Sequence, residues 1–535
     1  MYGGSPGYAR ADRRLQASRG LCTSLHSPTT QPSWRPVGRR VLAPLPEIPL
    51  NATRSNMNSS SRPYVKRSTL GASLLLGVLG LAIGSPLVAR TYDVGPDQEF
   101  AAIGRVPWES LAAGDTVRIH WRPEPYREKW AICTAGSAEA PLTVIGLPGP
   151  DAQMPVVDGN RATTREAMDF WGEDRAVIKV GGTNAAPTLL PRHIVIENLE
   201  IRGATSAHSF QGRKGDAPYR DNAAAIWLES GENLTVRNCR LYDCANGLVS
   251  SRQTRNVLVE GCSIYGNGTE LGIYQHNVYT ESEGITFQFN RLGPLRPDAF
   301  GINLKDRSSG TVIRYNWIEG GNRLIDLVES DYPHIYERAD YRESFVYGNV
   351  LIKLPDSPNK QVCHYGGDQD NPAKYRNGTL YMCHNTIVSR RAGAVTLFRL
   401  TAACDTVVIR NNIFWCSSSA GSMLLMPSLG TASLGLNWFP QSFETMLRFV
   451  RSEEGVRAEA EQIFGVEPGF LDAAGGDYRL APGSVCSGRA VPLPDAMLPR
   501  YALTAEYVPH GGQRPRNVGA AADLGAFGVA AAKGL

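Results

Sequence analysis

A six-residue block recurs through the middle of the chain, and no other feature restricts the fold as strongly. The copies are IENLEI at Ile196, VRNCRL at Val236, VEGCSI at Val259, FQFNRL at Phe287, IRYNWI at Ile313, VYGNVL at Val346, MCHNTI at Met382 and IRNNIF at Ile409, all apolar at their first and last positions. The fourth slot holds Leu199, Cys239, Cys262, Asn290, Asn316, Asn349, Asn385 and Asn412, so five consecutive copies place Asn at one position. A block this short cannot bury an apolar face alone. Coils stacked at the ~4.8 Å strand spacing bury one another's faces and continue parallel sheets along an axis. Asn at the bend is expected to take left-handed geometry and to pass amide hydrogen bonds from copy to copy, with Cys239 and Cys262 stacked in the same way. Copies are separated by unequal numbers of residues, which places variable loops on a regular spine.

The 42% apolar content of the 535 residues is ample for a core, and 55 Gly and 35 Pro against 20% charged residues suit a turn-dense β architecture. A net charge of +4 is too small and dispersed to argue for nucleic acid, although basic residues in a groove could meet an acidic ligand. Residues 1–56 lack apolar periodicity and read as a disordered or non-native leader. Residues 57–89 have a basic start (Arg62, Lys66, Arg67), an apolar run from Leu70 to Gly84 and small residues beyond it, the pattern of a secretory signal peptide. The run is shorter than the ~20 residues of a membrane span. A mature chain starting near Arg90, secreted or periplasmic and monomeric, with no membrane span, is the expectation. Nine of the ten Cys lie beyond the signal in no zinc spacing and read mostly as small buried apolar residues.

Residues 90–180 are expected to form an N-terminal cap and the first coils, with AGDTVRI as a strand after a short helical pattern; residues 181–416 hold the repeating coils. Residues 417–535 supply the last coils and a C-terminal cap, in which the Asn slot disappears after Cys416 and Gln441 to Ile463 reads as an amphipathic helix. The AAGDTV cap, the Asn-slot coils and the DYRLAPGS tail resemble right-handed parallel β-helix proteins of the pectate-lyase-like superfamily, over nearly all of Tyr92 to Gly528. Within that likeness, INLKDRSSGTVIRYNWIEGGNRLIDLVES resembles the active region of the chondroitinase-B and alginate-lyase type of polysaccharide lyase. The resemblance implies an all-β solenoid, an acidic polysaccharide as partner, Lys305 as base, and Arg323 as the residue that helps to protonate the leaving oxygen.

The chemistry of β-elimination asks for the same residue types. Removing a proton α to a uronate carboxylate needs a neutralised carboxylate, a base and an acid for the departing oxygen. Lys305 crowded by Arg307 and Arg323 would lose its proton more readily, while Asp306 would oppose this. One coil earlier, YQHNVYTESEG offers His276, Tyr279, Glu281 and Glu283 for sugar hydroxyls, for orienting Lys305, or for a Ca²⁺ ion. Alternation puts Tyr279, Glu281 and Glu283 on one face. Asp326 and Glu329 form a third group that would also suit a glycoside hydrolase with paired carboxylates. Trp121, Trp130, Trp171, Trp227, Trp317 and Tyr332 could stack on sugars or simply pack. A lyase, a glycoside hydrolase, a uronate epimerase and a non-catalytic polysaccharide-binding β-helix all remain open at this point, as does any metal requirement.

Overall fold

The computed structural model describes residues 89–530 apart from 166, 168, 187, 426–428, 444–454, 510 and 517–521. The expected leader and, apart from Ala89, the signal peptide lie outside the described residues. The remainder winds as a right-handed parallel β-helix. Each central coil contributes three strands. In one coil these are Leu304–Asp306, Ser309–Arg314 and Trp317–Glu319; in the next they are Ile325–Leu327, Glu343–Tyr347 and Val350–Lys353. All pair in parallel with the equivalent strands of the neighbouring coils. Among the described residues the first two strand positions merge into a 24-stranded sheet and the third builds an 11-stranded one. The apolar ends of the sequence block point inward, so Ile313, Ile318, Val346, Leu351, Met382 and Ile387 are buried. Each such side chain contributes roughly 1.5–3 kcal/mol on burial.

The Asn slot forms the expected internal ladder. Asn290 Nδ2 donates to Asn316 Oδ1 at 2.9 Å, and the same bond repeats from Asn316 to Asn349, Asn349 to Asn385 and Asn385 to Asn412 at 2.9, 2.9 and 3.1 Å. Each Oδ1 also accepts the backbone N–H of the Asn one coil earlier. Two details differ from expectation. The left-handed residue is the one before the ladder Asn: Phe289, Tyr315, Gly348, His384 and Asn411 have φ between 51° and 66°. That residue makes the bend, and the Asn after it turns its amide inward. The ladder also continues past Cys416. Asn412 donates to Asn437 at 3.0 Å and Asn437 to Gln462 at 3.2 Å, because LGLNWF at Leu434 is a further copy of the block.

The C-terminal helix reading is corrected in part. Residues 444–454 are outside the described residues, but Val456–Ala458 and Ile463–Gly465 are strands paired with Thr431–Leu434 and Trp438–Pro440. Pairing with a preformed coil outweighs the local helical period. At the other end the helical pattern shrinks to a 3₁₀ turn, Ile103–Arg105, and AGDTVRI contributes the strand Thr116–His120. Trp108 and Trp130 stack there, 5.3 Å between centroids. Seven of the nine described cysteines are buried and all are free thiols; Cys404 is exposed and Cys416 half-buried.

Two C-terminal hairpins, Phe470–Asp472 with Asp477–Leu480 and Ala505–Val508 with Gly512–Pro515, complete the structure. The outward residues of the second sheet in the late coils are apolar: Val350, Ile352, Val388, Ile413, Trp415 and Trp438. They pack in one cluster with Tyr478, Leu480, Tyr507 and Phe527 of the tail.

Candidate active site

Strand alternation places one outward side chain per coil at the centre of the first strand position. Four strands carry the site: β1 (Val278–Thr280), β2 (Leu304–Asp306), β3 (Ile325–Leu327) and β4 (Gln361–Tyr365). Their registers align Tyr279, Lys305, Asp326 and His364 in a single column, continued by Arg399. The preceding residues Val278, Leu304, Ile325 and Cys363 are buried. Thus Lys305 stands beside Asp326, and Arg323 lies at the entry to β3, three residues short of the column.

Lys305 Nζ donates to Asp326 Oδ2 at 2.9 Å and to Asp368 Oδ2. Asp368 sits on the loop after β4, and its other oxygen accepts from Arg307 Nη2 at 2.9 Å. A lysine and an arginine from one coil therefore close on a single carboxylate. Arg307 is further fixed by the Glu329 carbonyl, which accepts from Nη1, and by Tyr279, whose hydroxyl accepts from Nε at 3.2 Å. Glu329 is completely buried and accepts the backbone N–H groups of Asp368 and Gln369, both at 2.7 Å, so it holds the Asp368 loop in place. Asp326 is also completely buried. Its Oδ1 is 2.8 Å from His364 Nδ1 and accepts from Arg323 Nη1 at 3.3 Å. His364 Nε2 is 2.7 Å from Thr401 Oγ1, and Arg323 Nε donates to Gln361 at 2.7 Å.

The charges follow from these partners. Burial alone would raise Asp326, but the Lys305 ammonium, His364 and Arg323 hold it far below the usual carboxylate range. Burial likewise opposes Asp368, yet Lys305 and Arg307 keep it low. Burial raises Glu329 and Glu281, and it depresses His364 despite the hydrogen bond to Asp326. The guanidinium crowding expected at Lys305 is replaced by contact with two carboxylates. Asp306 does not act on Lys305 either: it points to the other side of β2, where Thr280, Thr311 and the buried Arg376 bond it.

The earlier cluster is dispersed. His276 is buried; its Nδ1 accepts the Ile302 N–H at 2.9 Å, and burial with the nearby Lys305 charge pushes its pKa down to about 3. Glu281 accepts from Ser330 Oγ at 2.7 Å, and Glu283 pairs with Arg255 and Arg338. The chain bends after Thr280, so Tyr279, Glu281 and Glu283 do not share a face as an unbroken strand would require. No cluster of three or more His, Cys, Asp or Glu side chains among the described residues has the geometry to hold a metal ion. Of the candidate platforms, Trp130 is core, Trp227 is nearly so, and Trp317 lies on the other sheet. His364 and Asp368 went unnoticed in the sequence. The signal was available in part, since Tyr279 and Lys305 each precede a ladder Asn by 11 residues, whereas loops inserted after β3 and β4 spoil that count for Asp326 and His364.

Residues 176–339 match the family model described as a right handed beta helix region. No curated protein matches the sequence. Among solved structures the chain is similar to an alginate lyase from Paenibacillus sp. str. FPU-7, with 11% identity over 60% of this chain and 93% of that one and a TM-score of 0.41. It is also similar to pectate lyase Pel9A (11%, 82% and 96%, 0.42) and to a GH136 lacto-N-biosidase from Eubacterium ramulus (12%, 70% and 68%, 0.40). No helix among the described residues is long and apolar enough to cross a membrane. With its parallel registers, three strands per coil and the family match across the central coils, the chain is a right-handed parallel β-helix protein.

Proposed function

We propose that the protein is a polysaccharide lyase that cleaves a uronate-containing glycan by β-elimination in the Lys305 groove. The observation that carries this reading is the grip of Lys305 and Arg307 on one carboxylate, that of Asp368. A uronate carboxylate entering there takes the place of Asp368 on Arg307, whose fork suits a planar anion, and neutralisation makes the α-proton removable. Lys305, freed from Asp368 and with its ammonium proton given up to solvent, is the base. Its Nζ takes the α-proton, the electron pair forms the new C=C bond, and the C–O bond to the neighbouring sugar breaks. Lys305 returns the proton to the departing oxygen while the Arg323 guanidinium faces the developing charge.

The hydrolase alternative needs one carboxylic acid kept protonated near neutrality. Asp326 and Asp368, the carboxylates that touch Lys305, are both shifted the wrong way; burial raises Glu329 and Glu281, but both Glu329 oxygens are committed to the Asp368 loop and Glu281 is engaged by Ser330 and the Asp331 N–H. The test is to incubate the protein with a panel of polyuronates and neutral glycans, recording the ultraviolet absorbance of unsaturated uronate together with reducing ends. Both should rise together on a polyuronate. Reducing ends without the absorbance would establish hydrolysis and overturn the lyase reading.

A further inference from the structure

The second sheet has an outer face separate from the Lys305 column, which lies on the first sheet, and its chemistry changes along the axis. In the late coils it is apolar and covered by the C-terminal hairpins. In the earlier coils it carries Arg240, Ser263, Arg291 and Trp317, one per coil in continuous register. The cover stops at Trp317. A cleft of about 420 Å³ opens there between Trp317 and the hairpins, lined by Tyr478, Tyr507, Arg479 and Arg514, and a second of about 290 Å³ lies beside Tyr265 and Arg291. Arg291 and the Trp317 indole both donate to Glu319, at 2.7 and 3.2 Å, which joins the two clefts. Tyr265 is 40% exposed and stacks flat on Tyr242, 5.3 Å between centroids.

Three of four ion pairs on this face share one asymmetry. The guanidinium side chains of Arg240, Arg291, Arg479 and Arg514 are 51, 47, 36 and 40% exposed, whereas their partners Glu200, Glu319, Asp477 and Glu506 are 17, 11, 29 and 5% exposed. Arg240, Arg291 and Arg514 turn their positive ends to solvent over tucked-in acids, while Asp477 is nearly as exposed as Arg479. Fixed guanidinium forks bind carboxylates bidentately, and aromatic faces between them suit pyranose rings. We propose that this face is a second binding track, non-catalytic, for a carboxylate-bearing glycan chain running past Tyr265 and Arg291 into the Trp317 cleft.

Native gels containing polygalacturonate, alginate, hyaluronate or neutral amylose test the proposal. The full chain is run with Lys305→Ala so that no turnover interferes. At least one polyuronate should retard it and amylose should not. Arg291→Gln with Arg514→Gln should weaken that retardation about tenfold, the loss of charge-assisted hydrogen bonds. Arg105→Gln with Arg192→Gln, exposed positions elsewhere with the same change in net charge, should leave it unaltered. Thermal melting of both double variants checks that they are folded. Absence of retardation by every polyuronate, equal retardation by amylose, or equal effects of the two double variants would each overturn the track. A protein that is retarded as expected but yields no unsaturated product would overturn the lyase reading and leave the track standing.

Discussion

Lys305, Arg307 and Asp368 meet at one point, and substitutions separate their roles. Lys305→Ala should abolish elimination, a loss of about 10³-fold or more in kcat, while glycan binding persists, because a missing base removes transition-state chemistry. Arg307→Ala should instead raise KM and lower kcat together, since the substrate carboxylate loses its fork in both states. Asp368→Asn should lower KM, because a neutral amide competes less well for Lys305 and Arg307. Steady-state kinetics on one polyuronate distinguishes all three outcomes; an unchanged KM for Asp368→Asn would show that its carboxylate does not stand in the substrate's place. Lys305, Arg307 and Arg323 were legible in the sequence as cations of one segment. Asp326 and Glu329 were legible there too, as acids of the same segment; Asp368 was not, for it reaches the site from a loop 63 residues further on, and no local pattern encodes that return.

At the level of the coil, repetition made the inward face and the ladder legible, but the bend was assigned one residue late. Gly348 shows why the distinction matters. It has φ +66° and a Cβ there would stand 2.6 Å from the Tyr315 ring, so Gly348→Ala should destabilise the fold by more than ~1 kcal/mol, whereas the same change at a site of compatible backbone stabilises. Asn349→Ala removes a side chain that donates to Ile313 O, Tyr347 O and Asn385 and accepts from Asn316, leaving buried groups unpaired. A loss of about 3 kcal/mol or more in denaturant unfolding is expected. The last coil was missed because LGLNWF carries the slot but is followed by a charged segment whose helical period reads more strongly in isolation.

For the whole molecule, acid should act through buried imidazoles. His276 and His384 are each pushed down to about 3 by burial, from about 6.5 in an unfolded chain. A depressed folded pKa means that their contribution is complete above about 6.5 and is lost progressively as pH falls toward 3. Asp405 works in the opposite sense: burial raises it to about 6, so its contribution is present below its ordinary 3.8 and is lost as pH rises through 6. Melting temperature should therefore fall between pH 6.5 and 3, and His384→Gln should flatten that fall. An identical pH dependence for the variant would remove His384 from the account. The tail was legible as a cap by its position, yet nothing in its sequence said which face it covers; the apolar outward column of the late coils decides that.

The ladder also has a bearing on how such a molecule can change length. From Asn290 to Asn437 each amide donates forward to the side-chain oxygen of the next coil and back to a backbone carbonyl of the coil before, so each rung asks that both neighbouring coils present one oxygen at the right height. A complete coil is thus an interchangeable unit. Duplicating or excising one lengthens or shortens the groove by a single outward side chain and keeps every other register, whereas the loss of one residue from the strand that leads into a bend would unseat every contact in that coil. Loops outside the rungs, such as the one bearing Asp368, are free of this constraint, which leaves chemistry free to diverge on a spine that can only be edited in whole turns.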